Sequence, residues 1–217
     1  FQDLGMIIVD EQHRFGVEQR KALIDKGYSP EVLALTATPI PRTLAFTIHG
    51  DMHISIIDEL PKNRIPIITK VVEPSRIDKV YDFMKKEMDA DRQCFVIYPI
   101  IEESEKMDWK ASDTGYKKLS ETILKDYKIG YIHGKMKKEA RDKQMSAMAN
   151  NEIQCLVSTT VVEVGIDIPN ATIMVIENAE RFGLTQLHQL RGRIGRGMEQ
   201  SYCVLVKHKE TPEAQHR

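Results

Sequence analysis

The sequence is short of several things, and each shortage excludes a class of protein. Its 217 residues hold three cysteines, Cys94, Cys155 and Cys203, with no CxxC spacing and each in or beside a short apolar run. A disulfide framework and a zinc site have no support in that spacing; buried reduced thiols are expected, which suits the cytosol. The longest apolar runs are about five residues, far short of the ~20 that span a bilayer. The opening Phe1-Gln2-Asp3-Leu4-Gly5 has neither a starting Met nor a charged leader with an apolar core, so no signal peptide is expected and the chain reads as a piece of something larger. Charge of one sign is missing too: 31 Lys+Arg against 32 Asp+Glu leave a net charge of −1. With no bulk positive field, a nucleic-acid role has to rest on local sites. Finally, no GxxxxGK[ST] loop occurs, because the single Gly-Lys pair, Gly134-Lys135, is followed by Met136.

What is present is ordinary for a soluble globular chain, with 41% hydrophobic and 29% charged residues. At roughly 150 residues per domain, the length predicts one large domain or two smaller ones. Met6-Ile7-Ile8-Val9 and Val32 to Leu35 read as fully buried strands of a parallel sheet, with a helix from Val17 to Lys26 between them. The Pro- and Asn-containing stretch Asp58 to Pro66 is the linker candidate. Beyond it, strands are expected at Ile67–Val72, Cys94–Tyr98, Gly130–His133, Gln154–Ser158, Thr172–Ile176 and Tyr202–Val206. Ile77, Val80, Tyr81, Met84 and Met88 lie along one face of an intervening helix. Further helices are expected around Tyr116 to Tyr127, Lys137 to Ala149 and Leu184 to Leu190, and the polar stretch Glu102 to Gly115 reads as a surface excursion. Alternating strands and helices predict an α/β fold with a parallel sheet and right-handed crossovers. The organisation expected is part of one α/β domain over residues 1–60, a linker over 61–66, and a nearly complete second domain over 67–217.

Four segments carry chemistry. Met6 to Val9 end in Asp10-Glu11-Gln12-His13, which puts two carboxylates at the carboxyl edge of a sheet, where ligands bind. There Asp10 suits a Mg²⁺ held through water, and Glu11 an attacking water in phosphoryl transfer; a solvated acidic turn fits the same residues equally well. Thr36-Ala37-Thr38-Pro39-Ile40-Pro41-Arg42 sets two hydroxyls at a strand end before two prolines, as a hydrogen-bonding switch or as plain turn chemistry. Thr159 to Pro169, with Glu163, Gly165 and Asp167, offers hydroxyls, a glycine and carboxylates to phosphate and ribose, or is a bend at Gly165. Gln189-Leu190-Arg191-Gly192-Arg193-Ile194-Gly195-Arg196-Gly197 is the most specific of the four, with a solvated basic turn as the alternative. Arginine forks suit phosphate, and glycines let backbone approach a ligand. His133-Gly134-Lys135, at another strand end, offers backbone amides to a nucleic-acid phosphate.

In that order, these segments resemble motifs II, III, V and VI of superfamily 2 helicases. Asp10 to Val17, Thr36 to Ala45, Ile57-Asp58-Glu59-Leu60-Pro61, Ile101 to Glu105 and Phe182 to Gly197 look like the RecG family of ATP-dependent DNA helicases in particular. The Mfd translocases of transcription-coupled repair share the Thr-Ala-Thr-Pro-Ile-Pro-Arg and Gln-Leu-Arg-Gly-Arg strings, but Gln12-His13 favours RecG. The resemblance implies two RecA-like domains, each a parallel sheet flanked by helices, the first of them partial here. It also implies ATP and Mg²⁺ as cofactors, and branched double-stranded DNA (forks and Holliday junctions) as partner in recombination and repair. A cytoplasmic monomer without membrane attachment is the implied setting.

Residue by residue, Asp10 and Glu11 take the metal and water roles, and Arg193 and Arg196 the arginine-finger positions at the γ-phosphate. Gln189 matches the motif VI glutamine, and Gly165 and Asp167 face the nucleotide. Gln12, His13, Thr36, Thr38, Gly134 and Thr159 fall where hydrolysis is coupled to DNA. Without the lysine-bearing loop, the 217-residue chain by itself is expected not to hydrolyse ATP. Two other readings compete: an Mfd-like translocase, and a module that binds nucleic acid or a partner without catalysis.

Overall fold

A computed structural model describes residues 3–11, 15–36, 53–59, 64–99, 105–159 and 168–208. The chain divides into two compact units, Phe1–Asp58 and Glu59–Arg217. Among the described residues no helix is long and apolar enough to cross a membrane.

The first unit holds β1 (Met6–Asp10), α1 (Val17–Ile24) and β2 (Glu31–Leu35). The strands pair in parallel from Met6↔Glu31 to Asp10↔Leu35, with α1 in the crossover. At the start of α1, the Gly16 amide donates to Gln19 Oε1 at 3.1 Å, satisfying one of the amides that a first turn leaves open. The two strands are not the fully buried strands that their apolar sequences predict; they are covered on one face. Ile7 and Val9 are buried, but their neighbours Met6, Ile8, Leu33 and Leu35 are exposed. Successive side chains of a strand alternate between faces, and among the described residues only one face of this two-stranded sheet is covered.

Among the described residues the second unit forms a six-stranded, all-parallel sheet. Its strands are β3 (Ile68–Val72), β4 (Gln93–Tyr98), β5 (Ile129–Ile132), β6 (Cys155–Thr159), β7 (Ala171–Ile176) and β8 (Tyr202–Val206), in the spatial order β3-β8-β7-β4-β6-β5. Central β4, β6 and β7 are buried almost throughout, because helices cover both faces. On one face Phe95, Ile97, Leu156, Met174 and Ile176 meet α4 (Lys138–Ala149) and α5 (Leu184–Arg191) through Met145, Met148 and Leu190. On the other, Cys94, Val96, Cys155, Val157, Ile173 and Val175 meet α2 (Ile77–Asp89) through Val80, Tyr81, Met84 and Met88. That spacing on α2 is the apolar stripe read from the sequence. Burial pushes the Cys155 and Cys203 thiols up to about 12, with Arg191 opposing slightly at Cys203, and raises Cys94 as well. All three cysteines are buried and free.

The stretch Glu102 to Gly115 departs from expectation, since α3 runs from Glu105 to Lys118. Its Glu, Lys, Met, Asp, Trp and Ala are adequate helix formers, but few are apolar, so no stripe announced the helix. A π-helical turn, Leu119–Ile123, follows, with the Leu124 amide donating to the Leu119 carbonyl at 2.7 Å. That wider turn puts Leu119 and Leu124, both fully buried, into the same core.

Candidate nucleotide and nucleic-acid site

In the first unit the parallel register sets Asp10 beside Leu35, so the next residues, Glu11 and Thr36, leave the sheet side by side at its carboxyl edge. Asp10 is exposed, and its Oδ1 accepts the Glu11 amide at 2.9 Å. Glu11 has φ +50°, left-handed backbone that a non-glycine residue rarely adopts. Such strain persists where the surroundings impose it, and it gathers at functional sites. The bend turns Glu11 out of the strand line while Asp10 stays at the strand end. A carboxylate exposed at the strand end is a donor suited to a hard cation. Mg²⁺ commonly takes one or two carboxylates with substrate phosphates and waters, so this donor set fits it. Among the described residues, no group of three His, Cys, Asp or Glu side chains forms a ready-made metal cage.

In the second unit α5 carries Gln189, half-buried, and ends at Gly192. The chain then coils back through a loop whose amides 192, 193 and 194 donate to the carbonyls of His188, Leu190 and Arg191. Ile194 is fully buried and acts as the plug of this loop. Arg193 is half-buried and Arg196 exposed, so the arginines emerge on either side of an anchored residue. Arg196 Nε donates to the Gly192 carbonyl at 3.3 Å, which ties the guanidinium to the loop's own backbone. Gly195 has φ +71°, and a Cβ there would meet the Ile67 side chain at 2.8 Å. Gly197 lies against Pro169, at the end of the Thr159–Pro169 segment. Two of the four sequence segments therefore converge in space.

Thr159 is the last residue of β6; it is buried, and its Oγ1 has no hydrogen-bond partner among the described residues. A buried hydroxyl left this way at a strand end is costly unless a neighbour or ligand uses it. Gly134 sits in the exposed turn after β5. Next to it, His133 leans on Tyr131 (ring centroids 5.2 Å apart), and Tyr131 stacks on Tyr116 at 4.7 Å. Ser112 Oγ and Tyr131 OH are 2.8 Å apart. Burial holds the His133 imidazole below its usual value; Asp113 opposes this and Lys135 reinforces it. The aromatic row was not foreseen, because its members come from α3 and β5 and share no local pattern. Gln12, His13, Thr38, Gly165 and Asp167 lie outside the described residues.

A second arrangement also escaped the sequence reading. Arg92, between α2 and β4, donates Nη1 to buried Glu87 at 2.8 Å and Nη2 to Glu199 at 3.0 Å. Thr172 Oγ1 donates to the same Glu87 Oε2 at 3.2 Å. Alongside it, Asn170 Nδ2 donates to the Asp91 carbonyl (2.7 Å) and Asn151 Nδ2 to Asp91 Oδ1 (3.0 Å), pinning the turn at the amino edge of the sheet. A cavity of about 210 Å³ lies between α5 and the β3–β8 face, lined among others by Val71, Leu187, His188 and Arg191. Of the residues singled out from sequence it includes Arg191 of the Gln189–Gly197 string and Cys203.

Residues 75–198 match the family model described as the helicase conserved C-terminal domain. The ATP-dependent DNA helicase RecG of Synechocystis sp. is 52% identical over the whole chain, which spans 26% of that relative's length. RecG of Thermotoga maritima is 47% identical over the whole chain, which spans 28% of it. The solved structure of RecG bound to a three-way DNA junction aligns with all of this chain and 28% of its own, at 43% identity and a TM-score of 0.78.

Proposed function

The chain belongs to the helicase conserved C-terminal domain family and is RecG-like along its whole length, and from that premise we propose that its protein is an ATP-driven translocase on branched double-stranded DNA. Forks and Holliday junctions are the substrates, recombination and repair the setting, and the cytoplasm the place. The protein works as a monomer without membrane attachment. The observation that carries the reading is the Gly192–Gly197 loop, where buried Ile194 anchors the chain between two arginines of the kind suited to forked recognition of phosphate.

In this reading Asp10 would hold Mg²⁺ through water, an ion that would supply neutralisation of phosphate charge. Glu11, turned out by its left-handed backbone, orients the attacking water. Arg193 and Arg196 meet the charge that develops on the γ-phosphoryl oxygens, and Gln189 steadies the same group. Gly165 and Asp167 address the nucleotide. Gln12, His13, Thr36, Thr38, Gly134 and Thr159 pass the result to DNA, with the 133–135 turn offering amides to a backbone phosphate.

The test is phosphate release and junction unwinding by the full-length protein, with and without a three-way junction. Junction-stimulated turnover that vanishes in Asp10→Asn and Glu11→Gln is expected. Normal turnover in either variant overturns the role given to that residue. Hydrolysis by the isolated 217-residue polypeptide overturns the expectation that a lysine-bearing phosphate loop has to be supplied from outside it.

A further inference from the structure

The loop from Gly192 to Ser201 is held at both ends, and the two ends are held differently. Its first half is fixed by packing: Ile194 is buried, Gly195 sits against Ile67, and Gly197 sits against Pro169. Its second half is fixed by polar side chains. Gln200 Nε2 donates to the Pro66 carbonyl at 2.8 Å, and Glu199 accepts Arg92 Nη2 at 3.0 Å.

Arg92 belongs to another part of the unit. Its amide donates to the Glu87 carbonyl at 3.0 Å, and its Nη1 to the Glu87 carboxylate at 2.8 Å. Glu87 is buried and also accepts from Thr172 on β7, so one side of the guanidinium is locked to the sheet's amino edge. A planar fork anchored on one side presents its other side in a set direction. What it presents to is Glu199, three residues from Arg196. As a stability element the outer arm is worth little, because Glu199 is 62% exposed and water screens such a pair. Its position is another matter, since Arg196 is tied to the loop backbone through Gly192 and moves with the loop.

The geometry points to Arg92 as a positioning residue for ATP turnover, which acts through Glu199 to hold the Gly192–Ser201 loop, and Arg196 with it, in the stance that meets the phosphoryl group. This rests on the proposed role of Arg196. Small displacements of a transition-state group are expensive, with about 1 Å able to cost up to about 100-fold. Loss of one of several anchors should shift the loop by less than that.

The experiment measures kcat, KM for ATP, junction affinity and thermal unfolding in the full-length protein for Glu199→Gln, Arg92→Lys, the double variant and Arg196→Ala. Arg92→Lys keeps a cation for buried Glu87 but cannot fork to both carboxylates. Each single variant should lower kcat by about three- to tenfold, with KM and junction affinity within about twofold and the unfolding of Glu199→Gln unchanged. The double variant should be no slower than the slower single one, because both remove the same contact. Wild-type kcat in Glu199→Gln alongside collapse in Arg196→Ala overturns the clamp alone, and so do single effects that multiply or a loss confined to KM. Normal turnover in Arg196→Ala removes the functional reading and the clamp together.

Discussion

Gly197 lies so close to the Pro169 carbonyl that a methyl group at position 197 would sit 2.5 Å from its oxygen. Both partners are backbone, so neither can swing aside. Gly197→Ala should therefore push the Gly192–Ser201 loop away from the end of the Thr159–Pro169 segment. Overpacking of this kind costs about 1–3 kcal/mol. A lowered unfolding midpoint in denaturant, together with reduced junction-stimulated turnover in the full-length protein, is the expected outcome. Unchanged stability would mean that the two segments separate freely.

His133 supplies a pH prediction whose sign is fixed by its surroundings. It faces Tyr131 and sits near Asp113 and Lys135, and burial is the strongest influence, so its folded pKa lies below the ordinary 6.5. The unfolded chain then takes up a proton at this site more readily than the folded one. The stabilising contribution is complete above the unfolded value and is lost as pH falls through the lowered folded value. The unfolding midpoint should drop as the solution is acidified below pH 6.5, and His133→Gln should flatten that part of the profile. An equal slope in the variant would assign the acid sensitivity to other groups.

The surroundings of Gly197 and of His133 differ in how far the sequence announces them. The loop's glycines and arginines were legible as a string, because packing alone rarely calls for three arginines and three glycines together. The parallel sheet of the second unit was legible because β4, β6 and β7 are near-continuous apolar runs and α2 shows a clean stripe. Helix α3 was hidden because it has few apolar residues to space. Alternating exposure in β1 and β2 was hidden for the opposite reason. Met6, Ile8, Leu33 and Leu35 are apolar although one face is open, so composition gave no hint of it. The pairings Gly197–Pro169, Arg92–Glu199 and Tyr116–Tyr131 join residues distant in sequence, and no local pattern encodes them.

The thiols give a chemical check on the core. Cys94, Cys155 and Cys203 are buried, and burial lifts each pKa, to about 12 for the last two. The thiolate is the reactive form, so iodoacetamide at about pH 8 should leave all three unmodified in the folded protein. All three should be alkylated in denaturant, as read by mass spectrometry. Modification of a single cysteine under native conditions would show that its strand opens.

Protection against hydrogen exchange should follow coverage. Amides of β4, β6 and β7 are bonded within a sheet covered on both faces, whereas β1 and β2 leave Met6, Ile8 and Leu33 exposed. Segments with little buried apolar area open first. In the 217-residue polypeptide, Cys155–Ser158 should exchange far more slowly than Met6–Val9. Equal protection in a monomer would contradict this, because it would require the open face of the two-stranded sheet to be covered.

Arg193 and Arg196 should act on the transferred phosphoryl group in the full-length protein. Charge on a transferred phosphoryl group spreads over its equatorial oxygens and grows mainly in the transition state. An arginine that meets this charge should therefore matter more to turnover than to binding. Arginine fingers contribute about 10³- to 10⁵-fold in rate, so Arg196→Ala and Arg193→Ala should each remove most junction-stimulated hydrolysis. Lysine at either position should rescue poorly, because it keeps the charge and loses the planar fork. Binding of an unhydrolysable ATP analogue and of a three-way junction should weaken far less. The two positions are also expected to differ. Arg196 is exposed and donates its Nε to the Gly192 carbonyl, while Arg193 is half-buried beside the anchored Ile194. Arg193→Ala should therefore cost stability as well as rate, and Arg196→Ala rate alone. Near-normal kcat in either alanine variant would withdraw the finger role from that arginine and leave it as a phosphate-backbone or structural contact.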